Sequence, residues 1–317
     1  MAKEKGKVKS KKRRWNKDDT ELTLLALPTT IWYFLFCFAP MFGIVIAFKD
    51  FKINGGFLKS FLTSRWVGFN NFKFLFSTKD IWMIVKNTLA YNIVFIILGI
   101  VVPVAAAIAI GQLHSKRLTK IYQTAMFMPY FLSWVVVTAL VWAFLSYDKG
   151  LVNNMLESLG MERQQWYMKP AMWPPFLVFM NLWKGVGYGM VVYLATIMGI
   201  DSEYYEAARV DGANIFQQIW YITLPLVKPT FIILLLYALG SIMKGQFELF
   251  YQMIGNNGVL YNITDIFDTY VYRITMTQPL SIGLGTAAGL YQSLFGFIIV
   301  VLVNFLVKRK NPEYALF

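Results

Sequence analysis

The stretch DSEYYEAARVDGANIFQQIWYITLP, residues 201–225, is a polar segment between two long apolar segments. A helix needs about 20 apolar residues to cross the roughly 30 Å of hydrocarbon in a bilayer. Both neighbours of the polar segment reach that length, and similar apolar stretches recur along the chain. Six membrane spans are predicted, at residues 22 to 48, 88 to 112, 122 to 146, 174 to 199, 226 to 246 and 283 to 307. The polar segment then joins the fourth span to the fifth.

Two short helices are predicted within the polar segment. Ser202 is placed to cap the first, and the acidic residues of its first turns favour the positive end of the helix dipole. Gly212 is expected to end this helix, because glycine adopts turn conformations that other residues avoid. The second helix is predicted to begin near Ala213 and to stop at Leu224–Pro225, since proline disrupts a helix interior.

Composition places the whole chain in a membrane. Its 317 residues are 57% hydrophobic and 15% charged, and the mean hydropathy is +0.50, well above that of soluble domains. No Gly/Ser-rich linker or internal repeat separates the spans. We therefore predict an all-α integral membrane protein with a basic segment at 1–21, a six-helix transmembrane domain at 22–307 that includes the loop 201–225, and a tail at 308–317.

The basic residues set the orientation. The net charge of +13 is typical of nucleic-acid-binding proteins, but beside membrane spans it indicates cytoplasmic segments instead. The basic residues collect in three places: an N-terminal run (Lys3, Lys5, Lys7, Lys9, Lys11, Lys12, Arg13, Arg14 and Lys17), the connection with His114, Lys116, Arg117 and Lys120, and the end of the chain at Lys308, Arg309 and Lys310. With six spans all three lie on one side, so both termini are predicted to be cytoplasmic. The segments 49 to 87, 147 to 173 and 247 to 282 are then outside.

Several chemistries are excluded by residue counts. Cys37 is the one cysteine and His114 the one histidine, so neither a disulfide, a cysteine or histidine zinc site nor a His-based triad can form within the chain. The G-x-x-x-x-G-K-[ST] pattern that cradles ATP phosphates is also absent from the sequence. We predict no catalytic residue, no metal site and no cofactor bound by this chain.

The segment 201–225 resembles a known family. It matches the signature of ABC importer permeases, E-A-A, three residues, G, nine residues, I-x-L-P, at every fixed position: Glu206, Ala207, Ala208, Gly212, Ile222, Leu224 and Pro225. In that family this segment is the coupling helix, which sits in a groove of the cytoplasmic ATPase subunit. The resemblance implies the type I ABC importer permease fold, with these seven residues coupling the permease to ATP hydrolysis.

The resemblance also implies partners and cargo. Shorter matches, among them Trp183-Lys184-Gly185, resemble the branch of carbohydrate permeases for oligo- and polysaccharides. The implied assembly contains a second, homologous permease, two ATPase subunits that carry ATP and Mg²⁺, and an external solute-binding protein that delivers sugar. Its implied place is the bacterial cytoplasmic membrane, in contact with lipid and not with nucleic acid.

A sugar pathway is predicted around Lys184, about nine residues inside the fourth span and therefore roughly 14 Å deep. A lysine at that depth costs at least about 2.5 to 3.5 kcal/mol, so it should face a wet cavity or an acid. Residues three and four apart share a helix face, which adds polar neighbours on the same span. The proposed pathway comprises Asn181, Lys184 and Tyr188 with Lys244, Gln246 and Glu248 near the outer end of the fifth span. The alternative is a structural polar contact between the two permease subunits.

The alternative function is a secondary transporter or a permease for a solute other than sugar, which would share the helical pattern. A secondary transporter usually needs membrane-embedded acids for ion coupling and often has two repeated halves, whereas this chain shows few embedded carboxylates and no repeat. A membrane enzyme would need a cluster of His, Asp, Glu or Cys at one membrane face, and the sequence shows none.

Overall fold

The computed structural model describes residues 16–53, 55–77, 80–113, 115–277 and 282–315. The basic run from Lys3 to Arg14, His114 and residues 278–281 of the last predicted outer segment lie outside these ranges. Helices dominate the described residues. The α-helices are α1 Lys17–Tyr33, α2 Phe57–Thr63, α3 Asn70–Ser77, α4 Ile81–Gly111, α5 Lys116–Phe127, α6 Trp134–Leu145, α7 Leu151–Ser158, α8 Trp173–Met198, α9 Ser202–Val210, α10 Ile215–Gln218, α11 Leu224–Gly240, α12 Phe247–Ile254, α13 Tyr261–Thr264, α14 Phe267–Thr277 and α15 Ile282–Lys310.

Shorter elements link or extend these helices. Two short strands, β1 (Lys49–Asp50) and β2 (Arg65–Trp66), pair antiparallel, with Lys49 opposite Trp66. The 3₁₀ helices are Ala39–Phe48, Met128–Phe131, Trp166–Met168, Pro170–Met172 and Pro312–Tyr314, and π turns occur at Phe34–Phe38 and Ile219–Thr223.

Among the described residues, five helical stretches are long and apolar enough to cross a membrane, and a bent pair of helices supplies a sixth span. In chain order the spans are the first, Lys17–Phe48; the second, Ile81–Gly111; the third, Lys116–Phe131 followed by Trp134–Leu145; the fourth, Pro170–Met198; the fifth, Ile215–Gly240; and the sixth, Ile282–Lys310. The second span begins at Ile81 rather than at the predicted residue 88, and the fifth ends at Gly240 rather than at 246.

The third span is broken, which the prediction of a continuous helix at 122 to 146 missed. Its two helices meet at an angle of 96°. Pro129 lies in the short 3₁₀ turn at the break, and Ser133 begins the second helix by accepting a hydrogen bond from the Val136 N–H at 3.3 Å. Because proline lacks an N–H and serine is a good N-cap, the backbone ends one helix and starts another here.

The fifth span is continuous with the polar segment, so the predicted stop at Leu224–Pro225 is wrong. The helix begins at Ile215 and runs to Gly240 through a π turn at Ile219–Thr223. Pro225 lies in the first turn of α11, directly after that wider turn. Such one-turn widenings absorb an irregularity without ending a helix, so the proline is tolerated.

The second and fourth spans pack along each other and form the centre of the molecule. Buried side chains from both spans meet the fifth span in one cluster, made up of Ala107, Ile110, Met190, Tyr193, Leu194 and Val227. Gly187 of the fourth span lies directly against the Met126 backbone of the third. A Cβ at this position would overlap the Met126 carbonyl, so glycine permits the close approach of the two spans.

Candidate functional site

The polar segment forms an exposed two-helix knob, residues 201–218. Its cap is Asp201 rather than the predicted Ser202: the backbone of Asp201 is extended, and its carboxylate accepts a hydrogen bond from the Glu203 N–H at 3.1 Å. Ser202 is already helical. An aspartate cap satisfies a free N–H of the first turn and adds negative charge at the positive end of the dipole.

The turn between the two helices depends on Gly212. Its φ is +78°, and the N–H groups that follow α9 fold back, Gly212 to Arg209 O at 3.1 Å and Ala213 to Ala208 O at 2.8 Å. This is the usual glycine-terminated helix end. Space around Gly212 is open, so the requirement for glycine comes from backbone conformation and not from crowding of a Cβ.

The second helix of the knob starts at Ile215, two residues later than predicted. Asn214 caps it and forms a reciprocal pair with Gln217, in which each backbone N–H donates to the other side chain, at 2.8 and 2.9 Å. The Tyr205 hydroxyl lies 3.0 Å from the hydroxyl of buried Thr223 and ties α9 to the start of the fifth span. The knob is therefore fixed to the fifth span and not a loose connector.

The predicted coupling residues lie along this knob and the adjoining helix. Glu206, Ala207, Gly212 and Pro225 are exposed, whereas Ala208, Ile222 and Leu224 are half-buried. Large apolar side chains on the same knob also face outward, with Val210 88% and Phe216 79% exposed. Exposed apolar residues beside charged ones mark interaction surfaces. The sequence signal for Val210 and Phe216 was available, since both are apolar residues in a polar segment.

An open cavity of about 500 Å³ lies between the second, fourth and fifth spans and the loop that follows the fifth. Four of the six predicted pathway residues line it: Asn181, Tyr188, Lys244 and Gln246. Tyr237, which the sequence analysis did not select, also lines it and is 79% exposed. Lys244 and Gln246 lie in the loop after Gly240, because the fifth span is shorter at this end than predicted.

Lys184 does not line the cavity. Its side chain instead contacts the backbone at the break in the third span. Its ammonium donates a hydrogen bond to the Tyr130 carbonyl at 2.8 Å and lies 5.3 and 5.5 Å from the ring centroids of Tyr130 and Trp134. Glu248, which also lies outside the cavity lining, is near enough to interact with it electrostatically. A broken helix leaves carbonyls without their intrahelical donors, and Lys184 supplies one such donor from within the same chain.

Polar side chains from three elements hold the loop Ser241–Gln246; Asn92 and Gln292 are buried, and Asp268 is half-buried. The Asn92 amide of the second span donates to the carbonyls of Ile242 and Lys244, at 2.8 and 3.1 Å. Gln292 of the sixth span donates to Met243 O at 2.8 Å. These contacts replace hydrogen bonds that the helix loses at its end, Gly240. We call Asn92, Asp268 and Gln292 the loop clamp.

Asp268 completes the loop clamp from α14. One carboxylate oxygen accepts the Gly245 N–H at 2.6 Å and the Gln292 amide at 3.2 Å. Burial raises the pKa of Asp268, while these two hydrogen bonds and the nearby Lys244 charge act in the opposite direction. A Cβ on Gly245 would overlap Ile266, so the loop fits closely. The sequence signal for the clamp was Asn92 and Gln292, polar residues within apolar spans.

A bundle of apolar helices, with a cavity that contains a few polar side chains and an exposed knob at one span end, is the architecture of a helical membrane transport protein. The chain belongs to the family of binding-protein-dependent transport system inner membrane components, whose sequence profile matches residues 99–312. The predicted fold class, an all-α type I ABC importer permease, and the resemblance to ABC importer permeases are thereby confirmed.

Named relatives cover nearly the whole chain. Protein LplB of Bacillus subtilis (strain 168) is 34% identical over 297 residues, which cover 94% of this chain and 91% of LplB. The polygalacturonan/rhamnogalacturonan transport system permease protein YteP of the same organism is 34% identical over 292 residues, covering 92% of this chain and 89% of YteP.

Two solved structures resemble this chain over a similar share of its length. The chain matches a crystal structure of a bacterial alginate ABC transporter in complex with an alginate pentasaccharide-bound periplasmic protein, with a TM-score of 0.80 and 34% identity over 92% of this chain and 96% of that one. A second crystal structure, of a bacterial ABC transporter involved in the import of the acidic polysaccharide alginate, matches with a TM-score of 0.81, 34% identity and coverage of 93% and 97%.

Proposed function

We propose that this chain is the permease subunit of an ATP-driven, binding-protein-dependent importer of carbohydrate, and of oligosaccharide in particular. The relative YteP and the two alginate transporter structures support the cargo class, because all three carry a polysaccharide in their names. The chain works with a second, homologous permease, two ATPase subunits that bind ATP and Mg²⁺, and an external binding protein. Both of its termini are cytoplasmic.

The observation that carries the proposal is one continuous helix from the knob to the cavity. The fifth span begins at Ile215, within the knob, and ends at Gly240, where the loop carrying Lys244 and Gln246 begins. A helix of 26 residues extends about 39 Å at 1.5 Å per residue, enough to cross the membrane. A displacement of the knob by an ATPase subunit is therefore passed along this helix to the cavity lining.

Glu206 is the residue through which we test the coupling. It is exposed on the knob, and a carboxylate there can form charge-assisted hydrogen bonds with a basic groove. In the assembled transporter in proteoliposomes, Glu206→Lys should reduce sugar uptake and binding-protein-stimulated ATP hydrolysis by about tenfold or more, since losing a charged hydrogen bond costs roughly 1.5–3 kcal/mol. Membrane insertion should be unchanged.

The matched control is Glu162→Lys, which makes the same charge change at an exposed position of the segment between the third and fourth spans. This control should transport at the wild-type rate. Wild-type uptake by Glu206→Lys would mean that the knob is a connector and not the coupling element.

A further inference from the structure

The cavity carries one charge in its described lining. Among the described residues that line it, Lys244 is the one charged side chain, and the other polar groups belong to amides, hydroxyls and tyrosines. Lys244 is exposed, and no carboxylate of the described residues lies within ion-pair distance of its ammonium. The cavity wall that this chain contributes is therefore positively charged.

The loop clamp fixes the backbone from which that charge projects. The Lys244 carbonyl accepts from Asn92, and its N–H donates to Ser241 O at 2.8 Å. The neighbouring Gly245 N–H is held by Asp268. The Asp268 carboxylate interacts electrostatically with Lys244. Its Oδ2 accepts hydrogen bonds from the Gly245 N–H and from the Gln292 amide. The backbone on both sides of Lys244 is thus bound, while its ammonium stays available.

The cavity also has the surfaces that sugars require. The Tyr188 ring, which lines the cavity, stacks on Tyr130 with centroids 5.1 Å apart and an interplanar angle of 16°. Tyr237 presents a second aromatic side chain to the same cavity, and Asn181 and Gln246 add amides. Aromatic faces with a few directed polar groups suit the mixed polar and apolar surface of a sugar ring.

We infer that the cavity takes an acidic sugar, and that Lys244 binds its carboxylate. This inference rests on the proposed function and narrows its substrate to oligosaccharides that contain uronic acid. A neutral sugar would leave the lysine without an ion-pair partner among the described residues, whereas a carboxylate in a cavity of lower dielectric than water makes a favourable pair with it. Lys244 is on this account a specificity-determining residue.

The first test measures the charge of the cavity with reagents. A cysteine replaces Ser241, which lines the cavity, in a Cys37→Ser background, and the assembled transporter is placed in liposomes of zwitterionic lipid so that lipid headgroups carry no net negative charge. Relative to their rates with a small free thiol, the negatively charged, sulfonate-bearing methanethiosulfonate reagent should react faster than the positively charged, trimethylammonium-bearing one. Lys244→Gln should lower the ratio of the two rates about tenfold, as expected for one charge at roughly 7 Å in water.

Three controls accompany the reagent test. Lys244→Arg should keep the wild-type ratio, because it keeps the charge. Lys149→Gln removes an exposed lysine between the third and fourth spans and should leave the ratio unchanged. A cysteine at Ser158, exposed at the end of α7, should show no dependence on Lys244. An unchanged ratio in Lys244→Gln would mean that another subunit neutralises Lys244, and would overturn the inference.

The second test uses trigalacturonate and its methyl ester, which differ in charge but not in ring structure. During ATP turnover, trigalacturonate should slow labelling at Ser241→Cys at concentrations about tenfold lower than the ester, and Lys244→Gln should remove this difference. Equal protection by the two sugars, or protection by neither, would overturn the inference. Binding-protein-stimulated ATP hydrolysis is measured on the same samples: its persistence leaves the proposed function standing, and its absence removes that function as well.

Discussion

Lys184 shows how a charge within a membrane span can stabilise the structure. It is half-buried in the fourth span and donates to the Tyr130 carbonyl across the break in the third span. The rings of Tyr130 and Trp134 lie near the same ammonium, at distances where cation–π attraction is favourable. A lysine in hydrocarbon is costly unless it has partners, and here the broken helix supplies them.

Replacing Lys184 with methionine should therefore destabilise the protein. The change removes a charged hydrogen bond to the Tyr130 carbonyl and two cation–π contacts, at an expected cost of about 1–3 kcal/mol, seen as a lower unfolding midpoint of the transporter in detergent. Lys149→Met, at an exposed position with the same change of side chain, should leave the midpoint unchanged. Unaltered stability of Lys184→Met together with lost sugar uptake would assign Lys184 to the pathway and contradict its structural role.

The third and fourth spans pack closely against each other at the break in the third span. The fourth span contacts both α5 and the 3₁₀ turn at Met128–Phe131. Gly187 is fully buried there and lies against the Met126 backbone, while Gly185, two residues earlier on the same helix, has open space where its Cβ would be. Glycine costs about 1 kcal/mol relative to alanine in a helix interior, so a close contact explains its presence only at Gly187.

The two glycines form a matched pair of variants. Gly187→Ala should destabilise the transporter by about 1–3 kcal/mol or more, because the clash is with backbone that cannot move aside easily. Gly185→Ala should be neutral or slightly stabilising, given the better helix propensity of alanine. Unfolding midpoints in detergent measure both. Equal midpoints for the two variants would show that the spans do not approach as closely as the structure has them.

At the scale of the whole molecule, apolar surface is left uncovered in a way that fits a membrane subunit. The helix α1 buries none of its side chains, and large apolar residues of the other spans also face outward. Such a surface is favourable only in lipid or against another subunit. The cavity between the second, fourth and fifth spans opens on this exposed surface, so its remaining wall belongs to a neighbouring chain or to lipid.

The sequence predicted the architecture because membrane spans follow from length and apolar composition, which are local properties. It did not predict the break at Pro129, since a proline in an apolar run is compatible with either a kink or a break. It placed a stop at Pro225 because the preceding π turn has no sequence signal of its own. Asn181, Tyr188, Lys244 and Gln246 lie around one cavity, and their role in a sugar pathway stays a prediction. The partners of Lys184 depend on contacts between distant segments, which sequence spacing does not reveal.

The central claim is that this chain provides the path for sugar, while a separate subunit hydrolyses ATP and acts on this chain through the knob. The most direct measurement is ATP hydrolysis and sugar accumulation in proteoliposomes that contain this chain alone, the full assembly, or the assembly with Glu206→Lys. We predict no hydrolysis by the chain alone, hydrolysis coupled to accumulation in the full assembly, and loss of both in the variant. ATP hydrolysis by the purified chain alone, or ATP-driven accumulation without the ATPase subunits, would contradict the account.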